Sequence, residues 1–175
     1  REFAQAADRE ADGAKGAQWS YRRDFGPVRL LVIDSRCGRI LDDGRRRSMV
    51  SDKEFDWIER QSDDGSFDHL VGANNVLAHV PGLNNFVEGV RILLKPKGTA
   101  TFEFPHLLRL IEQNQFDTIY HEHFSYFSFT TVRRIFARHG LRLFDVEQLG
   151  THGGSLRIYG CHAGAAHPDS PRVAA

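Results

Sequence analysis

Seven consecutive residues, Tyr120-His121-Glu122-His123-Phe124-Ser125-Tyr126, gather two imidazoles, a carboxylate and two phenols. An imidazole near its ordinary pKa of about 6.5 can take a proton at neutral pH, and a neighbouring carboxylate or phenol can orient it or hold developing negative charge. A His-x-His spacing shares one face only on a strand, and no third ligand accompanies it, so no metal site is expected. Asn74-Asn75 and His79 form a second polar group, placed to face the same crevice. Phe124, Phe127 and Phe129 read as ordinary core aromatics. Further off, Arg45-Arg46-Arg47 reads as a solvated face or an acid-paired loop, with phosphate binding as the alternative; Asp34-Ser35-Arg36 reads as a site or a strand-end hydrogen-bond set; and His152-Gly153-Gly154 reads first as a tight connection between two strands, where glycine would also let a ligand approach.

The elements that would position these groups are marked by periodicity. Residues 67–77 suggest a strand running into a polar loop, and residues 83–94 repeat Leu83, Phe86, Val87, Val90, Ile92, Leu93 and Leu94 at helical spacing. Lys95, Lys97 and Gly98 sit where cations and a glycine end a helix. Residues 99–104 alternate as a strand, residues 130–139 carry Val132, Ile135 and Phe136 on one helical side with Gly140 as stop, and residues 141–146 and 155–161 form two closing strands. This is the order of an open α/β sheet, which binds ligands at the carboxyl ends of its strands. Upstream, residues 28–34 read as a buried strand. Ser51-Asp52-Lys53-Glu54 reads as a capped helix start, with Phe55, Trp57 and Ile58 as its apolar face and Asp63-Asp64-Gly65 as its stop. Residues 1–20 read as a frayed helix or a surface segment.

The 175 residues carry 41% apolar and 26% charged side chains, enough for a core and unlike a disordered chain. The 23 basic residues balance the 23 acidic ones, so the field expected of a nucleic-acid or membrane binder is missing. No apolar run of spanning length occurs, and the start lacks the apolar centre of a signal peptide, so a cytoplasmic protein is expected. Cys37 and Cys161 cannot build a disulfide framework or a zinc knuckle. Up to Leu70 there are 13 basic and 15 acidic residues, against 10 and 8 afterwards, while eight of nine histidines lie beyond that point. Two segments of different origin are therefore expected, 1–70 and 71–175. The first residue is Arg1 and the only methionine is Met49, so a piece of something longer is expected.

Residues 71–162 closely resemble the S-adenosylmethionine-dependent C-methyltransferases that act on nucleotide-linked deoxysugars. The matching words are Asn74-Asn75-Val76-Leu77-Ala78-His79-Val80, Leu93-Leu94-Lys95-Pro96 and Glu103-Phe104-Pro105-His106, then the long block from Gln115-Phe116-Asp117-Thr118-Ile119-Tyr120 through His123 to Ser128, and Thr151-His152-Gly153-Gly154-Ser155-Leu156-Arg157. The resemblance implies methylation of the carbon next to the keto group of a 4-keto-6-deoxysugar joined to thymidine diphosphate. It implies His123 as the base, with Tyr120 and Glu122 positioning it or the sugar. Asn75 and His79 would lie near the keto-sugar, and His121, His152 and Arg157 would serve in orientation or diphosphate contact. The implied cofactor is S-adenosylmethionine, with an incomplete site, because no Gly-x-Gly segment follows a strand before residue 72. Fuller members of the family carry zinc, whose cysteine ligands are missing here.

The implied fold is the C-terminal half of a Rossmann-like class I methyltransferase sheet, preceded by an unrelated strand-loop-helix segment. Residues 20–70 are similar to a segment of the PhoD-like metallophosphoesterases, through Tyr21-Arg22-Arg23-Asp24-Phe25-Gly26-Pro27-Val28-Arg29-Leu30, Asp34-Ser35-Arg36-Cys37-Gly38-Arg39 and Phe55-Asp56-Trp57-Ile58. The expected function is thus that of a C-methyltransferase fragment joined to a foreign piece near residue 71, with little turnover of its own. A phosphoesterase fragment and a non-catalytic nucleotide-sugar-binding module are the alternatives. The expected partners are a nucleotide-sugar and, through an open sheet edge and an apolar face, other copies of the chain.

Overall fold

The computed structural model describes residues 20–33, 51–62, 68–74 and 76–174. The readings of residues 1–19, of Asp34-Ser35-Arg36, Cys37 and Arg45-Arg46-Arg47, of the stop at Asp63-Asp64-Gly65 and of Asn75 lie outside the described residues. The chain divides into two compact units, residues 1–67 and 68–175.

In the first unit, β1 (Tyr21–Phe25) and β2 (Val28–Val32) form an antiparallel hairpin closed by the pair Phe25 and Val28 across Gly26-Pro27. The sequence reading has β2 but not β1, whose Arg22-Arg23-Asp24 centre gives no apolar alternation because all five of its residues are exposed. Arg29 is buried, and its charge is met by Asp24 at 2.9 Å and by the Gln61 carbonyl at 3.0 Å, which ties the hairpin to α1 (Asp52–Ser62). The cap expected at Ser51 is present: its Oγ accepts from the Glu54 amide at 3.2 Å. The apolar face is narrower than expected. Ile58 is buried one turn after Glu54, whereas Phe55 is 61% exposed.

In the second unit β3 (Asp68–Asn74) runs parallel to β4 (Thr99–Pro105), as the crossover through α2 (Leu83–Leu93) allows. After β4 come a short helix α3 (Leu107–Glu112), helix α4 (Phe129–Arg138), β5 (Leu141–Leu149) and β6 (Ser155–His162). β6 pairs antiparallel with both β4 and β5, giving the order β3-β4-β6-β5. The α/β architecture expected from the sequence is what the chain adopts. The sequence reading lacks α3, since a six-residue helix without a side-chain cap leaves little periodic signal.

The core lies on the helical side of this sheet. Ala100, Phe102 and Phe104 alternate inward from β4 and are fully buried, against Val87 and Val90 of α2 and Val132 and Phe136 of α4. Phe102 meets Phe136 at 5.5 Å and Phe86 at 6.1 Å, both edge to face. Ile92 and Leu93, counted in the apolar pattern of α2, point to solvent instead. Glu88 of α2 receives hydrogen bonds from Arg91 and from His139 at the end of α4, and these hold its pKa down to about 2. Ser128 caps α4 by accepting from the Thr131 amide at 3.3 Å, and Gly140 ends it at φ 68°. Ser128→Ala is expected to cost about 1 kcal/mol of unfolding free energy, read from urea midpoints at unchanged slope.

The other face of β4, β6 and β5 is polar. Glu103 pairs with Arg157, the Tyr159 hydroxyl donates to Glu147 at 2.8 Å, and Arg172 binds Asp145. On this face charged side chains alternate with hydroxyl-bearing ones such as Thr101 and Tyr159. The β5 edge is also partly covered by the tail that comes after β6. The Ser170 amide donates to the Phe144 carbonyl at 2.8 Å, Arg142 donates to the carbonyls of Ala165 and His167, and the His167 ring stacks on Phe144. No described helix is long and apolar enough to cross a membrane.

Candidate active site

The site is built from the turns and loops at the carboxyl ends of β3 and β4. After β3 a short 3-10 turn, Leu77–His79, buries Leu77 and Ala78 and so fixes the backbone around them. The Ala78 carbonyl then accepts from the amides of Phe124 at 2.9 Å and Ser125 at 3.3 Å, which draws the histidine-rich loop onto that turn. A second 3-10 turn, Phe116–Thr118, precedes the loop, with the Thr118 hydroxyl donating to the Gln115 carbonyl at 2.8 Å.

These backbone anchors decide the state of His123. Its Nδ1 lies 2.8 Å from the Thr118 carbonyl, which can only accept, so Nδ1 carries the proton. In the Nδ1–H tautomer Nε2 keeps its lone pair and accepts from the Tyr120 hydroxyl at 3.2 Å. The Tyr120 ring lies 4.3 Å from the imidazole, and Tyr126 meets it edge to face at 5.7 Å. The His79 ring is 4.6 Å away, its Nδ1 donating to the Glu122 carbonyl at 3.0 Å. A half-buried imidazole in this tautomer, with Nε2 facing a phenol, has the geometry to receive a proton and to leave a donor beside the new charge.

Of the residues singled out in the sequence, His79, Tyr120, Glu122 and His123 are thus brought together. The contact to His79 comes from the main chain of Glu122. His121 is exposed, and its ring lies 6.4 Å from the Tyr120 ring. Asn75 lies outside the described residues. Among the described residues no three metal-ligating side chains converge.

His152 and Arg157 gather instead around a second centre, Glu103. This carboxylate is buried, accepts from the Thr151 hydroxyl at 2.7 Å and from Arg157 at 2.8 Å, and faces Arg157 directly across the strands. The turn Thr151–Gly153 has the tight form read from the sequence, with His152, Gly153 and Gly154 all at positive φ. The sequence reading assigns no role to Glu103 or Thr151. Both lie within the matching words quoted above, and Glu103 also stands out as a lone acid within the apolar alternation Thr99-Ala100-Thr101-Phe102-Glu103-Phe104.

Charge at this end of the sheet is set by burial and pairing. Burial pushes Glu103 up, but the hydrogen bonds from Thr151 and Arg157 and the charges of Arg157 and His152 outweigh it and hold the carboxyl below its usual range. His106, at the end of β4, is held below its ordinary value chiefly by burial, with Arg109 adding to the effect. Both depressed values act in one direction. Each group stabilises the fold above its unfolded pKa and loses that contribution as pH falls through its lower folded value. The melting temperature is therefore expected to fall as pH drops below about 6.5, through His106, and again below about 4.5, through Glu103. Glu88 and Asp145, whose carboxyls are also held down by their partners, share the lower step, so Glu103→Gln is expected to shrink that step and leave the upper one in place, as thermal melts across pH would show.

The methyltransferase domain family model matches residues 9–146. The match runs through residues 20–70, so the likeness of that stretch to PhoD-like metallophosphoesterases carries no further argument. A curated relative, the C-methyltransferase NovU of Streptomyces niveus, is 44% identical over 105 residues, which are 60% of this chain and 25% of that protein. The chain spans about a quarter of that relative's length. Among solved structures, a Haloferax volcanii complex of a methyltransferase with its activator matches at TM-score 0.48 and 16% identity, over 60% of this chain and 57% of that one. Magnesium protoporphyrin IX methyltransferase of Synechocystis with bound SAH matches at TM-score 0.42 and 13% identity, over 57% and 46%. Likeness at this level adds nothing to what the family match shows.

Proposed function

The chain belongs to the methyltransferase domain family, and from that premise we propose that it carries the acceptor side of a C-methyltransferase acting on the carbon next to the keto group of a nucleotide-linked deoxysugar. The observation that carries this reading is the geometry of His123, whose Nδ1 lies 2.8 Å from the Thr118 carbonyl, which can only accept, while its Nε2 lies 3.2 Å from the Tyr120 hydroxyl. The identity to a C-methyltransferase supports carbon as the methylated atom. Carbon needs a base first.

The methyl donor in this reading is S-adenosylmethionine, which supplies an electrophilic methyl group. A nucleoside of this kind is cradled where a glycine-rich turn leads from a strand into a helix. The turns after β3 and β4, residues 76–82 and His106, contain no closely spaced glycines, so in this reading the described residues supply the acceptor side.

On that side the steps balance within the chain's own residues. The α-carbon proton moves to Nε2 of His123, the electrons of the broken C–H bond form a carbon–carbon double bond, and the carbonyl oxygen takes the negative charge. The Tyr120 hydroxyl, no longer needed at Nε2, donates to that oxygen, and His79 lines the same space. The imidazolium keeps its Nδ1 proton on Thr118. The test omits the donor: the chain is incubated with a thymidine-diphospho-4-keto-6-deoxysugar in deuterated water, and the α-proton signal is followed by NMR. Its loss above the buffer rate is expected; an unchanged signal would overturn the reading.

A further inference from the structure

The two centres, His123 and Glu103, are joined by one side chain. Gln115 precedes the 3-10 turn that supplies the Thr118 carbonyl, and its own carbonyl accepts from the Thr118 hydroxyl. Its amide reaches the other way, Nε2 donating to the Gly153 carbonyl at 2.7 Å and to Gln113 Oε1 at 2.6 Å. The Gly153 carbonyl, which can only accept, fixes which end of the Gln115 amide is nitrogen. Gly153 belongs to the turn whose Thr151 hydroxyl is held by buried Glu103, which is in turn held by Arg157. A Cβ on Gly153 would come within 2.5 Å of Gln115 Nε2 and push that amide aside, and φ there is 75°, a conformation that favours glycine. Contacts therefore run without a gap from Arg157 through Glu103, Thr151, Gly153, Gln115 and Thr118 to Nδ1 of His123.

We propose that Gln115 is a positioning residue for His123, bracing the Thr118 turn against the Thr151–Gly153 turn so that the Thr118 carbonyl stays in line with Nδ1. The base would owe its reactive tautomer to this brace: if the carbonyl drifts, either nitrogen can carry the proton, and the fraction with a basic Nε2 falls. The role of the brace in catalysis rests on the proposed function; its effect on the imidazole does not.

The experiment reads the imidazole itself. Histidine-labelled protein is examined by long-range proton–nitrogen NMR correlation, with His123 assigned from the spectrum of His123→Ala. The Nδ1–H form is expected in the unaltered chain. Gln115→Glu keeps the shape but sets a carboxylate against two acceptor oxygens, and Gly153→Ala places a methyl group against the amide. Both are expected to turn His123 into a mixture of tautomers and to slow α-proton exchange about tenfold at unchanged KM. Gln113→Ala, which leaves the Gly153 contact in place, is expected to keep the tautomer. If Gln115→Glu does not fold, Gly153→Ala and Gln115→Met carry the test. A single unchanged Nδ1–H tautomer in folded Gln115 and Gly153 variants would overturn the proposal. A tautomer that shifts in a chain showing no α-proton exchange would uphold the brace and overturn the proposed function instead.

Discussion

His123→Ala is expected to slow exchange of the sugar's α-proton by roughly a hundred- to ten-thousand-fold, the range that one positioned base contributes. Tyr120→Phe removes a hydroxyl but leaves the base, so a smaller loss is expected, confined to the share of stabilisation given to the enolate oxygen. The two variants separate proton removal from charge stabilisation, because the first abolishes the acceptor of the proton and the second only a donor. NMR of the nucleotide-sugar in deuterated water reads both. A His123→Ala chain exchanging at the unaltered rate would dismiss His123 as the base. Neither change should unfold the protein, since both side chains sit at the rim of the sheet and outside the buried cluster.

Phe102→Ala is expected to lower the unfolding free energy by about 3–5 kcal/mol, the usual loss for a fully buried aromatic. Phe102 is fully buried at the centre of β4 and bridges Phe86, just inside α2, and Phe136 of α4. Its removal leaves a cavity between two helices and a sheet, and the flanking strands restrict collapse around it. Such a loss is comparable to the whole stability of a small unit. Denaturant melts followed by fluorescence and far-ultraviolet circular dichroism would check it, and a loss below about 1 kcal/mol would mean that the core repacks freely.

Much of the second unit is legible in its residues because its elements are buried on one face. Val87 and Val90 in α2, Val132 and Phe136 in α4 and the alternation around Phe102 each obey the period of their element. Where burial weakens, so does the signal: β1 is wholly exposed, α3 has no buried residue, and Phe55 and Ile92 add apolar residues to a pattern that the fold does not use. The site divides in the same way. The types and spacing of Tyr120, Glu122 and His123 mark a chemical centre, and recognition of a family word gives each a role. Their state is set by the carbonyls of Thr118, Glu122 and Ala78, and main-chain groups are alike in every residue, so no reading of side chains could locate them. Arg157 reads in the sequence as a ligand contact, and its long-range partner Glu103 becomes visible only once the strands are in register.

The strand order also sets a timetable for synthesis. β6 lies between β4 and β5, yet the ribosome delivers it after both. β4 emerges about fifty residues earlier, and at roughly 5–20 residues per second its open side waits several seconds for the partner that completes it. During that interval the alternating segment Thr99–Phe104 is a nascent strand with a free flank, and another chain on the same message offers the nearest substitute. Faster translation between β4 and β6, or a chaperone engaged over that stretch, would raise the yield of native chain without altering its final stability.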